Sequence, residues 1–422
     1  MKITIHRGAN QIGGTCIEIA ANNGKKIMID IGMPLAEDFI EPSQEFMPEI
    51  EYAGLEALLI SHPHGDHYML AGFLEKKIPI YIGRGAAAII EAANSYTPNK
   101  VKLGDTIPIE NKKPFTIADT FRITPFLTDH SAYDSYMFLI EADGKSVFYT
   151  GDFRCHGRKA KLVKAMMKDP PKNIDVMLME GTNIYPLKSE TTEIDDNMEM
   201  TEVSSQKSFV SEAALEKEFQ NEFENTKGLA VVQSSCQNMD RLVTIYRAAK
   251  RAKRELVLPW QVGYIVMQIG NKNLPNFRNF KDVKKFTSTP ERPHEIGLET
   301  IKKNPEKYVV FLTYPITRAL LTGRLFNKDA VYIWSLWNGY KKQEKTAQVI
   351  AEIAATNTKI AKDIHASGHA DRATIIEFVA QLNPKRLVPV HTAFPEAFKS
   401  LEWKKGFTGQ VEVHADNEWF EV

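Results

Sequence analysis

The feature that most constrains this chain is a dense run of metal-binding residue types, with the sequence SHPHGDH at 61–67. It places three imidazoles and a carboxylate on a short turn, and these groups are ligands that suit zinc and similar divalent ions. The apolar run before it, at 55–60, is typical of a short buried strand. The cluster therefore follows the carboxyl end of a strand, where open α/β sheets usually place their chemistry. Because unpaired buried histidines and aspartates are costly, it predicts a metal site.

Composition indicates a globular protein of more than one domain. At 422 residues, with 43% hydrophobic and 25% charged residues, the chain is expected to form two compact units. Basic and acidic residues number 53 each, so the total charge does not point to a nucleic-acid partner, although a local basic groove is compatible with it. The three cysteines lie far apart, which predicts a reducing compartment and no sulfur-ligated metal. No apolar run is long enough for a signal peptide or a membrane span, so a cytoplasmic protein is expected.

The pattern of strands and helices changes along the chain. The first 182 residues contain many short strands, with helices expected at 85–94 and 159–168, which predicts two sheets covered by helices. A polar, acidic stretch at 187–197 is interpreted as an exposed loop. After an amphipathic helix at 208–224, strands and helices alternate, which predicts a separate and mostly parallel unit.

Two further candidate ligands follow later strands. His130 comes just after the strand predicted at 121–127, and Asp152 follows the strand predicted at 147–151. A single His or Asp at a strand end is more often structural, so neither residue alone identifies a site. Together with the 61–67 run they form an ordered series, and that order is specific.

This order, HxHxDH followed by a later His and a Gly-Asp pair, resembles the metallo-β-lactamase superfamily. The resemblance implies a four-layer αββα sandwich and a dinuclear site, with zinc favoured and manganese possible. Asp30 matches an acidic position before the main motif, where it is expected to orient the ligands. By position, the resemblance implies one metal on His62, His64 and His130, a second on Asp66 and His67, and Asp152 as the bridge between them.

Three later motifs resemble the β-CASP nucleases within that superfamily. They are MEGTN at 179–183, SGHA at 367–370 and VPVHT at 388–392, and the wider run HASGHA at 365–370 is most similar to the ribonuclease J group. The resemblance implies that His391 completes the second metal site and that His369 contacts the scissile phosphate or protonates the leaving group. Glu180 is expected to orient a neighbouring ligand or proton carrier, so Asp66, Glu180 and His369 are the predicted catalytic residues.

The motif positions divide the chain into a metallo-β-lactamase domain at 1–184, an inserted α/β β-CASP domain at 185–358 and a return segment at 359–422. Ribonuclease J proteins usually carry a further carboxy-terminal domain, and this sequence reaches Val422 soon after the last of these motifs. The family's phosphate-contacting turn corresponds here to QNMDR at 237–241, which keeps only part of the pattern. The predicted RNA contacts are His365, Ser367, Gly368, His369, Asn238 and Arg241.

These features predict a metal-dependent ribonuclease that hydrolyses single-stranded RNA through a hydroxide activated by two metals, with 5′-exonuclease activity, endonuclease activity or both. A DNA nuclease or small-molecule phosphodiesterase on the same site, or a non-catalytic RNA-binding scaffold, are the alternatives. A homodimer is possible and no membrane association is expected. Three tryptophans of the inserted domain, Trp260, Trp334 and Trp337, could stack bases, but core packing is the favoured interpretation.

Overall fold

The computed structural model describes residues 1–35, 41–97, 100–186 and 209–422. It divides into two compact units, the first formed by Met1–Phe209 with Gly368–Val422 and the second by Val210–Ser367. The exposed loop predicted at 187–197 lies outside the described residues. Within these ranges, no helix combines the length and the apolar character needed to cross a lipid bilayer.

The described part of the first unit contains two sheets of seven strands each. The first sheet has the order β21-β1-β2-β3-β4-β5-β6. Its strands are β1 Lys2–Arg7, β2 Cys16–Ala20, β3 Lys26–Ile29, β4 Leu55–Leu59, β5 Ile80–Gly83, β6 Thr106–Ile109 and β21 Glu418–Glu421. The second sheet has the order β20-β19-β11-β10-β9-β8-β7. Its strands are β7 Phe115–Ile117, β8 Phe121–Leu127, β9 Tyr136–Ala142, β10 Lys145–Tyr149, β11 Val176–Glu180, β19 Arg386–Val390 and β20 Gln410–Val411.

Alternation along the strands explains how these sheets pack. In β4, Ala57 and Leu59 join the core that both sheets share, whereas Leu58 packs on the opposite face, in the same core as residues of helix Arg84–Ala93. Successive side chains of a strand point to opposite faces, so each sheet can bury both. The far face of the second sheet is covered by helices Ala160–Lys168 and Arg372–Leu382. This arrangement confirms the αββα sandwich predicted from the sequence.

The second unit is built on one parallel sheet with the order β15-β14-β13-β16-β12-β17-β18 among the described residues. Its strands are β12 Ala230–Ser234, β13 Glu255–Leu258, β14 Val283–Phe286, β15 Glu295–Ile296, β16 Tyr308–Leu312, β17 Val331–Ser335 and β18 Lys359–Ile360. Every residue of β16 and of β17 is buried, as expected for central strands of a parallel sheet that is covered on both faces. The mostly parallel inserted domain is therefore confirmed.

The remaining helical segments are short or connect these strands. In the part of the chain that the structure describes, the other α-helices are Gly65–Tyr68, Glu212–Asn225, Met239–Arg251, Trp260–Ile269, Leu298–Lys303, Tyr314–Thr322 and Glu344–Ala354. The 3-10 helices are Gln44–Phe46, Ala71–Phe73, Pro305–Lys307, Asn338–Lys342 and Pro395–Ser400.

Two sequence interpretations differ from the structure of the second unit. The return segment was predicted to begin at 359, but β18 pairs with β17 and so keeps 359–367 in the second unit. All three tryptophans of this unit were interpreted as core residues. Trp334 is buried, in agreement with that interpretation, but Trp260 and Trp337 are 41% and 63% exposed. Both differences arise because pairing and burial depend on residues distant in the sequence.

Candidate metal centre

Polar side chains follow the carboxyl ends of parallel or co-directed strands in the first unit. His130 follows β8, Asp152 follows β10, Glu180 ends β11 and His391 follows β19. These four strands of the second sheet run in the same direction, so their carboxyl ends share one edge. The 61–67 turn follows β4 of the other sheet, and the backbone N–H of Tyr136 donates to the Ser61 carbonyl at 2.9 Å.

A glycine allows the 61–67 turn to lie against the first sheet. The backbone N–H of Thr15 donates to the Asp66 carbonyl at 3.1 Å, and Gly32 lies directly beside that carbonyl. A Cβ on Gly32 would stand 1.6 Å from the Asp66 oxygen, so no other residue fits there without displacing the turn.

The structure brings the predicted ligands together in three overlapping groups. In each group the ligand atoms all lie within 4.8 Å of one another. The groups are His62, His64, His130 and Asp152; Asp66, His67 and His391; and Asp152, Glu180, His369 and His391. All seven residues predicted as ligands fall within them, and the sequence interpretation did not include Glu180 and His369 in a ligand set.

Asp152 occupies the centre of this cluster. Its Oδ2 lies 3.2 Å from His67 Nε2 and 3.5 Å from His62 Nε2, and 4.0 Å from His130 Nε2. Its Oδ1 lies 3.8 Å from His391 Nδ1. One carboxylate thus faces imidazoles of both predicted metal sets, which is the position a bridging ligand requires.

Asp30 holds His67 from the side opposite to Asp152. Its carboxylate lies 2.8 Å from His67 Nδ1 and accepts hydrogen bonds from the hydroxyls of Ser61 and Tyr149, each at 2.7 Å. Asp30 is fully buried and adopts a left-handed backbone with φ 55°. Such a conformation is unfavourable for a residue other than glycine and is found disproportionately at functional sites.

Partners that the sequence analysis did not identify orient three more histidines. Nδ1 of His62 lies 3.0 Å from the Ser61 hydroxyl, Nδ1 of His130 lies 2.6 Å from the Gly368 carbonyl, and Nδ1 of His391 lies 2.9 Å from the Thr182 hydroxyl. Contacts of this kind set the tautomer and leave Nε2 for a ligand. Ser61 and Thr182 stand inside the quoted motifs, which is the signal that would have identified them.

Glu180 holds His369 through one oxygen and the backbone through the other. Its Oε2 lies 3.2 Å from His369 Nδ1, while its Oε1 accepts the backbone N–H of Phe153 at 3.1 Å and that of Ala370 at 3.4 Å. Burial opposes a charge on His369, but the carboxylates of Glu180 and Asp152 outweigh it and raise the pKa of His369 to about 9. His369 therefore carries a proton at neutral pH.

The pKa values of the cluster residues shift in different directions, so some of the side chains are neutral and others are charged. Burial, reinforced by His67, holds the pKa of His62 well below its usual value, and burial lowers the pKa of His64 to about 4. Burial also opposes protonation of His67, but the Asp152 carboxylate outweighs it and the pKa of His67 lies well above its usual value. Burial favours neutral Asp152, yet His391 and His67 hold the pKa of Asp152 well below its usual value. Asp152 is thus anionic and His62 and His64 are neutral, as metal ligands must be, whereas His67 holds a proton that it would have to lose to bind a metal.

Among the described residues, several ligand atoms of the cluster are buried without a hydrogen bond. Within the described ranges, three buried ligand atoms have no hydrogen-bond partner: His62 Nε2, His67 Nε2 and Asp152 Oδ1. Buried polar atoms are nearly always satisfied, so these three point to a ligand between them. Imidazole nitrogens and carboxylate oxygens suit zinc or manganese, so the residues fit a divalent metal.

The predicted RNA contacts are divided between the two units. Gly368 and His369 contact the cluster as described, whereas Asn238, Arg241, His365 and Ser367 belong to the second unit. Asn238 caps helix Met239–Arg251, since its side chain accepts the backbone N–H of Arg241 at 2.9 Å. His365 and Ser367 are half-buried.

The prediction that Arg241 contacts RNA needs correction. Its side chain is fully buried, and its Nη2 lies 2.9 Å from Glu212 Oε1. Its Nη1 donates to the Ser335 hydroxyl and to the Ile364 carbonyl, the latter at 3.2 Å. A guanidinium enclosed in this way stabilises the second unit and has no donor directed to a bound polymer.

Two family models match the chain. The beta-lactamase superfamily domain matches residues 26–205, and the Zn-dependent metallo-hydrolase RNA specificity domain matches residues 356–403. The first match includes the 61–67 turn, His130 and Asp152, and the second includes His369 and His391. The two models therefore cover the segments that form the cluster.

Individual relatives agree with these matches. Ribonuclease J of Mycoplasma genitalium is 21% identical over 93% of this chain and 68% of its own length. An RNase J-like protein of Methanocaldococcus jannaschii is 27% identical over 44% of this chain. The matched part is 43% of that relative's own length. A crystal structure of a protein of unknown function from Enterococcus faecalis V583 matches with a TM-score of 0.77 at 21% identity, covering 99% of each chain. This last likeness shows the fold alone.

Proposed function

We propose that this chain is a metal-dependent ribonuclease that hydrolyses phosphodiester bonds of single-stranded RNA, because it matches the beta-lactamase superfamily domain and the RNA specificity domain of Zn-dependent metallo-hydrolases. The observation that carries this proposal is the convergence of imidazoles and carboxylates around Asp152, with three buried ligand atoms left without hydrogen bonds in the described part of the chain. The names of the relatives support RNA as the polymer.

Two divalent ions are proposed to bind here, and when bound they would lower the pKa of water and neutralise charge on the phosphate. His62, His64 and His130 would hold one ion, and Asp66, His67 and His391 the other, with Asp152 shared. Ser61, Asp30 and Thr182 would fix the tautomers of these imidazoles by accepting hydrogen bonds from their Nδ1–H groups.

His369 is proposed as the proton donor to the leaving oxygen. Its Nδ1 faces Glu180, which leaves Nε2 to carry the transferred proton. Glu180 is almost completely buried and is anchored by two backbone N–H groups, so it acts as a positioning residue rather than as a group that touches the substrate. A positioned general acid of this kind typically contributes about 10²- to 10⁴-fold to the rate.

The function is tested by digesting RNA labelled at the 5′ or the 3′ end with purified protein and each of Zn²⁺ and Mn²⁺. We expect single-stranded RNA to be cleaved only with metal, and the labelled products to distinguish exonuclease from endonuclease action. Single-stranded DNA of the same sequence and bis(p-nitrophenyl) phosphate serve as the comparison substrates. Faster cleavage of either would favour a DNA nuclease or a phosphodiesterase, and RNA binding without cleavage would favour a scaffold.

The role proposed for Asp30 leads to a prediction about metal affinity. We expect Asp30→Asn to weaken metal binding by roughly 10- to 100-fold, because an amide cannot accept all the hydrogen bonds that hold His67. Competition with a chromogenic chelator measures the affinity. Asp134→Asn is a matched control: Asp134 also has a positive φ of 62° and accepts the backbone N–H of Gly85, but it belongs to none of the ligand groups. Equal affinities of wild type and Asp30→Asn would refute the orienting role.

The cytoplasmic location and the homodimer stay predictions. The 5′-exonuclease activity has the same status, and the end-labelled digestion tests it.

A further inference from the structure

Exposed aromatic residues follow three strands of the second unit. Trp260 comes after β13, Tyr314 after β16, and Trp337 with Tyr340 after β17. Their exposed fractions are 41%, 63%, 63% and 44%. Because the sheet is parallel, all these residues lie along the edge formed by the carboxyl ends of its strands. These four residues are called the aromatic edge below.

The topology of the sheet opens crevices at this edge. The connection from β13 leads to β14 on one side, whereas the connection from the adjacent β16 leads to β17 on the other side. The connections from β12 and its neighbour β17 also diverge, towards β13 and β18. Ligands of open α/β sheets bind where adjacent connections part in this way. Trp260 and Tyr314 flank the first of these points, and Trp337 follows a strand that flanks the second.

Local contacts hold the exposed rings in place. The Trp337 ring packs edge to face against Tyr340, with centroids 5.5 Å apart and an angle of 85° between the planes. It also lies over Gly339, where a Cβ would come within 2.2 Å of the ring. The Trp260 ring contacts Tyr264, with centroids 5.9 Å apart. Rings fixed before binding lose little conformational freedom when a ligand stacks on them.

The charge at this edge indicates the kind of ligand. The segments 235–238, 260–264, 313–318 and 336–342 contain no Asp or Glu, although acidic and basic residues are equally numerous in the whole chain. Their basic residues are Arg318, Lys341 and Lys342, and the first two form ion pairs with Glu352 and Asp363. Because two of these three cations are neutralised by carboxylates and the four segments contribute no acidic residue, the surface fits uncharged planar groups better than phosphates or an acidic peptide.

We propose that the aromatic edge stacks the bases of single-stranded RNA. The proposal rests on the ribonuclease function above and adds a site in the second unit that holds the polymer by its bases. Stacking on aromatic side chains is tolerant of sequence, because every base has a planar face. The edge therefore recognises single strands, whose bases are free, and discriminates against duplexes, whose bases are already stacked on one another.

The test measures RNA affinity in a chain that carries Asp152→Asn to prevent cleavage. We expect Trp337→Ala in this background to weaken binding of a 20-nucleotide single-stranded RNA about tenfold. The slope of log affinity against log salt is expected to stay the same, since stacking releases no counterions. Gly339→Ala displaces the ring without removing it and is expected to weaken binding in the same direction. Trp419→Ala removes a ring that is 56% exposed in the first unit and serves as the matched control with unchanged affinity.

A second RNA with abasic positions identifies the interaction. We expect chains with and without Trp337→Ala to bind the abasic RNA equally, because it offers no base to stack. Unchanged affinity for the normal RNA, or an equal loss on both RNAs, would overturn the stacking site. Cleavage of RNA by the wild-type chain would leave the ribonuclease function intact in that case, whereas absence of both binding and cleavage would overturn both proposals. A change of oligomeric state in Trp337→Ala with RNA affinity retained would assign the edge to a protein interface instead.

Discussion

We expect the Asp152→Asn chain to hydrolyse RNA more slowly than the wild-type chain by a factor on the order of 10³ or more. The stabilisation that metal ions supply to a phosphodiester transition state amounts to several kcal/mol, and each 1.36 kcal/mol changes a rate about tenfold. Asp152 faces His62, His67 and His391 within 3.8 Å, so its carboxylate belongs to both proposed metal sites. The amide keeps the shape of the side chain but not its charge. Rates of RNA cleavage and the metal content of purified protein measure the effect.

A neighbouring carboxylate provides the control for this experiment. Asp175 lies just before β11 of the same sheet and pairs with Lys385 at 2.7 Å, outside the ligand groups. We expect Asp175→Asn to retain the cleavage rate and the bound metal. Cleavage by Asp152→Asn at the wild-type rate would contradict the proposed metal centre.

The second large effect concerns stability of the second unit. We expect Glu212→Ala to lower its free energy of unfolding by about 3–5 kcal/mol, because removing one partner of a buried ion pair leaves the other charge uncompensated. Glu212 is 1% exposed and pairs with Arg241, which is fully buried. Glu212 Oε2 also accepts the Thr244 hydroxyl at 2.7 Å, so helices Glu212–Asn225 and Met239–Arg251 are both affected. Urea denaturation followed by circular dichroism and tryptophan fluorescence measures the change.

An exposed ion pair of the same unit is the comparison. Glu299 pairs with Lys302 one helical turn later at 2.8 Å, and the Glu299 side chain is 79% exposed. Exposed pairs contribute about 0–1 kcal/mol, so Glu299→Ala is expected to change the free energy of unfolding by no more than that. A loss in Glu212→Ala as small as in Glu299→Ala would show that the buried pair does not stabilise the unit.

Local sequence was sufficient to predict site residues where the ligands are close together along the chain. The run at 61–67 showed its ligands directly because three histidines and an aspartate on one turn have few structural uses. The role of Asp30 as an orienting residue was implied by the resemblance to the metallo-β-lactamase superfamily, and the structure places its carboxylate 2.8 Å from His67 Nδ1. The β-rich first part and the alternating second part also predicted the two kinds of sheet, since their periodicity is a local property.

Residue roles that depend on burial could not be read from sequence. Arg241 stands in a stretch that matches a phosphate-contacting turn, but its partner Glu212 lies on another helix and encloses it in the core. Trp334 and Trp337 are three positions apart, yet one is buried in β17 and the other exposed after it. The same limit affected the domain boundary, because 359–367 belongs to the second unit through contacts with distant residues, among them the pairing of β18 with β17 and the hydrogen bond from the Ile364 N–H to the Trp334 carbonyl.

The amino-acid sequence by itself determined the ligand types, their order and the class of fold, because these follow from residue chemistry and from local periodicity. Tertiary structure alone decided which atoms face one another: Asp152 between the imidazoles, Glu180 behind His369 and Thr182 behind His391. The physical reason is that hydrogen bonds and burial join residues hundreds of positions apart. The order of residues along the chain gives no information about the distance between such residues in the folded protein.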